Sequence, residues 1–200
     1  MQGGRARLGG KGNIEPEASA GQTQGATEPV GREQELVERF VDELSALGAQ
    51  CTRVQRENLP EQVIQFLRSH SAESVLAWDS IEDMNTAALM QAGIVVVKQP
   101  DPRVRFGLTS CAGAIAETGT LVLTHGPGRP LTASLLPEVH VAVVRVRQIV
   151  QTLEEALRLP DVTQCSSTVL ISGPSRTADI EMTLTIGVHG PKELYVYVVE

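Results

Sequence analysis

Three short stretches hold the residue types that could do chemistry. In Ala114–Leu121, AIAETGTL, a single carboxylate, Glu117, sits between two apolar strand-like runs and is followed by Thr118, Gly119 and Thr120. Burial would raise the pKa of Glu117 toward that of a general base or nucleophile, whereas backbone N–H bonds would lower it. A solvent-exposed turn is the other reading of the same residues. In Ser172–Glu181, SGPSRTADIE, the hydroxyls of Ser172, Ser175 and Thr177 and the flexible Gly173 lie between a strand pattern and a helix pattern. Amides at a helix start, together with an arginine such as Arg176 that can pair with both oxygens of a carboxylate or phosphate, are the ingredients of an anion site. Ordinary capping by Ser175 or Thr177, with Asp179 favoured by the helix dipole, accounts for all of these except the arginine. Asp179 and Glu181 are two residues apart and fall on nearly opposite helix faces, so they do not form a catalytic pair. In Gly187–Pro191, GVHGP, flanking glycines expose His189 and let backbone approach closely. Lone histidines such as His189, His125 and His140 are more often structural or solvated than catalytic.

Cys51, Cys111 and Cys165 are separated by 59 and 53 intervening residues, with no CxxC and no histidines paired at ligand spacing. That spacing argues against an iron-sulfur cluster or a metal site, and no cofactor is indicated. The thiols read as reduced small hydrophobes of a cytosolic chain. The net charge is −7, and the first 31 residues contribute three basic and three acidic side chains, so the whole excess falls on the remainder. An acidic chain with 3% aromatic residues is poorly suited to nucleic acid. A local basic pocket for a small anionic metabolite, carboxylate or phosphate, stays compatible with it. No run approaches the roughly 18 apolar residues that span a bilayer, and no secretory-type apolar core is present, so no membrane association and a cytoplasmic location are expected.

These stretches need elements to position them. Residues 1–31 hold eight of the eighteen glycines, no aromatic residue and only scattered apolar side chains, so they are expected to form a disordered tail ahead of one domain over 32–200. From Arg32, Leu36, Phe40, Val41, Leu44 and Leu47 recur at helical spacing up to Gly48. Pro60 opens a second helix, Ser74–Trp78 reads as a strand, Asp83–Gln91 as a helix and Gly93–Val97 as a strand. After a linker, Ala112–Ala116 and Thr120–Thr124 are strand-like, and Val139–Val146, Thr168–Ser172 and Leu194–Val199 are strands. Helices are predicted over Gln148–Leu157 and about Thr177–Ile186. This alternation predicts an α/β domain with three layers, a mostly parallel sheet flanked by helices.

AIAETGTL, SGPSRTADIE and GVHGP, in this order and spacing, resemble the LUD domain family of lactate-utilisation proteins, in particular its small C-protein branch. The likeness runs from about Phe106 to the end, whereas Arg32–Asp101 matches only in alternation. The resemblance implies the fold shared by ribose-phosphate isomerases, glucosamine-phosphate deaminases and coenzyme A transferases. It further implies a component of an iron-sulfur-dependent system that oxidises L-lactate to pyruvate, with iron-sulfur partner proteins of the lactate operon and its own chemical step open. Carried over position by position, it points to Glu117 as the acid-base or nucleophilic residue. Thr118, Gly119, Thr120, Ser172, Gly173, Ser175, Arg176, Thr177, Asp179 and His189 are the implied ligand-binding positions. A stand-alone transferase, isomerase or ligase acting on a small phosphorylated or acyl substrate is the alternative that fold analogy offers.

Overall fold

The computed structural model describes residues 29–178, 184–187 and 189–200. The chain begins with α1 (Pro29–Ala46), whose Val37, Phe40 and Leu44 are buried at helical spacing. Then follow β1 (Gln50–Val54), α2 (Leu59–Ser69), β2 (Ser74–Ala77), α3 (Ala87–Gln91), β3 (Val95–Val97) and β4 (Phe106–Ser110). The middle of the chain forms β5 (Gly113–Ile115), β6 (Thr120–Thr124), α4 (Thr132–Leu135), β7 (Val139–Arg145) and β8 (Ile149–Val150). The last part holds α5 (Leu153–Leu157), α6 (Pro160–Gln164), β9 (Thr168–Ile171), β10 (Arg176–Ala178), β11 (Leu184–Ile186) and β12 (Glu193–Val199).

Six strands pair in parallel in the order β1-β12-β7-β4-β2-β3. The central strands β4 and β7 are buried along nearly their whole length, which is why β7 reads as an apolar run without alternation. Helices flank this sheet, and α4 crosses β4 so closely that a Cβ on Gly107 would lie 1.8 Å from the Ala133 carbonyl oxygen. A smaller mixed sheet, β8-β5-β6-β9, carries the first motif in the turn between β5 and β6. Both sheets share one core, to which Phe40, Leu44, Leu108, Leu121 and Leu194 contribute fully buried side chains. The α/β architecture with a mostly parallel, helix-flanked sheet matches the expectation. Among the described residues, no helix is long and apolar enough to cross a membrane.

Three expected helices are corrected. Both described ends of the helix expected over about Thr177–Ile186 are strands instead: Arg176–Ala178 and Leu184–Ile186 pair antiparallel with Thr177 opposite Thr185, and 179–183 lie outside the described residues. β-branched residues such as threonine and isoleucine are favoured in strands. Over Gln148–Leu157, Ile149 and Val150 instead pair with Ala114 and Ile115, and the helix starts only at Leu153. There Thr152 and Glu155 form a reciprocal cap. Leu153 and Leu157 of this short helix are exposed. The helix expected from Asp83 starts at Ala87, because Asp83 is held with φ of 59°, in the left-handed region. Two strands escaped notice, β1, an edge strand carrying Gln50 and Arg53, and β4, whose Gly, Thr and Ser dilute its apolar signal. Residues 1–28, the bulk of the expected disordered tail, lie outside the described residues.

His140 sits in the middle of the large sheet, fully buried, opposite Gly107 on one side and Leu194 on the other. Its Nε2 is 2.9 Å from Thr109 Oγ1, while Nδ1 has no partner. Burial pushes its pKa from 6.5 down to about 3. Below pH 6.5 the unfolded chain therefore takes up a proton that the folded chain refuses until about pH 3, and stability falls as pH drops through that window. One such group contributes a slope of up to about 1.4 kcal/mol per pH unit. Urea unfolding at pH 7.5, 6 and 5 should show a flatter decline for His140→Gln than for the wild type. Equal slopes would exclude a buried neutral imidazole.

Candidate functional site

Pairing of β6 with β9, with Leu121 opposite Ile171, brings the first two motifs side by side. Thr120 Oγ1 lies 2.8 Å from Thr118 Oγ1 and 2.7 Å from Ser172 Oγ, so three hydroxyls form one chain. The turn then presses on the last turns of α1. Gly119 has φ of 55°, and a Cβ there would sit 2.3 Å from the backbone N of Leu44. Gly173 abuts Leu47, and Arg176 Nη2 donates to the Leu47 carbonyl just past the C-terminus of α1, where helix carbonyls lack intrahelical partners. Ser175 is bonded through its backbone to Pro191 and Gly187, which ties in the third motif; His189 is exposed. Glu117 turns toward the start of α5, where Oε1 is 3.4 Å from Leu153 N. Thr177 lies in β10, and Asp179 and Glu181 fall outside the described residues.

The three motifs thus meet around one end of α1. A different group of charged side chains gathers at its other end. The carboxyl ends of β1, β12 and β7, together with the first turns of α1, enclose a cavity of about 610 Å³. Ligands collect at the carboxyl ends of strands in open parallel sheets because the following loops diverge there. Four arginines line it, Arg53 and Arg56 at the end of β1, and Arg145 and Arg147 at the end of β7. Val37 of α1 and Val199 of β12, both nearly buried, back its wall, and the part-exposed Val146 contributes apolar surface. Val37 and Leu47 are ten residues apart on one helix, so the motif cluster and the cavity lie roughly 15 Å from each other.

Asp83 reaches into the arginine group from the loop after β2. Its side chain is 1% exposed, and it accepts bonds from Arg145 Nε and, at 2.7 Å, from Arg145 Nη2. Arg56 Nε is 2.6 Å from Oδ1, the oxygen that Arg145 Nη2 also bonds. Hydrogen bonding by Arg145, reinforced by the charges of Arg145, Arg56 and Arg147, holds the Asp83 pKa below the usual carboxylate range. Arg53 pairs with Glu200 at 2.7 Å, whereas Arg147 is exposed and forms no ion pair among the described residues. The strand ends are fastened by Gln148, which accepts from Arg145 N and donates to the Cys111 carbonyl, both at 2.8 Å. Cys111 itself is buried, and desolvation pushes its thiol pKa up, away from a reactive thiolate.

None of the five residues Arg53, Arg56, Asp83, Arg145 and Arg147 was singled out from the sequence. They are spread over almost a hundred positions and form no motif. The available signal was positional, since Arg145 and Arg147 directly follow the apolar run of β7.

An α/β domain with this sheet order and these motifs defines a class. Residues 37–199 match the family model described as the LUD domain, and the chain belongs to that family. It is 35% identical over 175 residues to lactate utilization protein C of Deinococcus radiodurans, covering 82% of this chain and 80% of that one. To lactate utilization protein C of Halalkalibacterium halodurans it is 29% identical over 190 residues, covering 82% and 83%. A crystal structure of a DUF162 family protein from Deinococcus radiodurans superposes with a TM-score of 0.67 at 30% identity, covering 84% of this chain and 98% of that one.

Proposed function

We propose that this chain takes part in lactate utilisation as a cytoplasmic component that binds a small anionic metabolite, while iron-sulfur partner proteins carry the electrons from L-lactate on its way to pyruvate. The observation that carries this reading is the arginine-lined cavity at the carboxyl ends of β1, β12 and β7, in a chain similar over four fifths of its length to proteins named for lactate utilization. Guanidinium groups are suited to carboxylate and phosphate oxygens, and strand ends place them where loops can enclose a ligand. The motif loops serve that cavity indirectly, since they clasp one end of α1 and thereby set the wall that its other end provides. On this reading Glu117 and Arg176 act through position rather than on the ligand. Deleting the gene should abolish growth on L-lactate as sole carbon source and leave growth on pyruvate intact, with the wild-type gene restoring it. Undiminished growth on lactate would reject the role.

A further inference from the structure

We propose that the ligand of the arginine-lined cavity is not lactate but a larger organic monoanion, one acidic group joined to an apolar body; this rests on the reading of the cavity as the anion site. Size is the first ground. Lactate, equivalent to about four water-sized groups of ~30 Å³ each, fills roughly 120 Å³. The cavity is about 610 Å³, within the range of sites that hold drug- or cofactor-sized molecules. A three-carbon acid would leave most of it to water.

Charge is the second ground. The four arginines face three lining carboxylates, Glu33, Asp83 and Glu200, and a fourth, Glu82, lies 3.1 Å from Arg145 Nε, so the cluster is balanced overall and its one unpaired guanidinium decides what it binds. Arg53 is committed to Glu200 and Arg145 to Asp83. Arg147 is unpaired among the described residues, and Arg56, whose side chain is 66% exposed, shares Asp83 with Arg145. One acidic group pairs with the Arg147 guanidinium; a second would meet the lining carboxylates without a cation of its own. Val146, part-exposed and next to Arg147 in the chain, supplies the third ground, an apolar patch backed by the nearly buried Val37 and Val199 that favours a hydrophobic body and gives nothing to a compact polyanion.

Anilinonaphthalene sulfonate, one sulfonate on an apolar ring system, serves as the probe in fluorescence titrations of the full-length folded chain. One probe should bind per chain, Arg147→Glu should weaken it roughly tenfold to a hundredfold, and a tenfold excess of L-lactate or pyrophosphate over the probe should not displace it. Because Arg147 is exposed and unpaired, its replacement leaves the fold intact, which near-UV circular dichroism verifies. Displacement by L-lactate at or below the probe concentration would overturn the size argument, and stronger displacement by pyrophosphate would overturn the charge argument. Either result would leave the cavity as the anion site. If Arg147→Glu and Arg56→Ala changed the binding of none of the three compounds, the anion-site reading would fall as well.

Discussion

Replacing Gly119 with alanine is expected to cost roughly 2–5 kcal/mol of stability, combining the penalty for a left-handed side chain with the strain of overpacking. The new methyl group would stand 2.3 Å from Leu44 N and 2.7 Å from Leu44 Cα, both backbone atoms of α1, so the helix would have to move. Gly93 is the control that separates the two contributions. It also has positive φ, at 85°, but a Cβ there meets nothing within 4 Å. Gly93→Ala should therefore lose only the conformational part, about 1–2 kcal/mol. Denaturant unfolding measures both. Equal losses at the two positions would mean that the first motif does not clasp α1.

The second large effect belongs to Arg145. Arg145→Met should lower stability by roughly 2–4 kcal/mol, because it leaves the buried Asp83 carboxylate with only the exposed Arg56. For a chain of this size that corresponds to a fall in Tm of roughly 5–15 °C. Much of the cost is an unpaired buried charge, so the Asp83→Asn, Arg145→Met double variant should recover part of it. Asparagine also tolerates the left-handed backbone of Asp83 better than most residues. A double variant less stable than the single would show that Asp83 is stabilised by something other than its arginines.

Local patterns made much of the fold legible. The apolar stripe of α1 and the buried runs of β2, β7 and β12 announce themselves through periodicity and composition. What escaped detection was created by non-local pairing. Sheet order places β1 from near the start of the chain beside β12 from its end and β7 from between, so Arg53, Arg56, Arg145 and Arg147 converge without any sequence spacing to reveal it. Asp83 was hidden for a related reason. An acidic residue ahead of an apolar stretch resembles a helix start, and only its capture by Arg145 and Arg56 holds it in a left-handed loop. SGPSRT likewise resembles the entrance to a helix, while the observed Arg176 continues into a hairpin and spends a bond on α1. Motifs of glycine and small hydroxyl residues serve tight packing as readily as they serve ligands, and here Gly119 and Gly173 sit against backbone or side chain of one helix.

Growth on L-lactate of a gene-deleted strain, complemented in parallel by an Arg56→Ala, Arg147→Ala double variant and by Glu117→Gln, tests most directly whether the cavity is the working site. Both arginines are exposed, so each variant protein should accumulate normally, as an immunoblot would verify. Loss of growth with the arginine variant and full growth with Glu117→Gln is the predicted result. Full growth with the arginine variant and none with Glu117→Gln would contradict the account and return the chemistry to the motif turn.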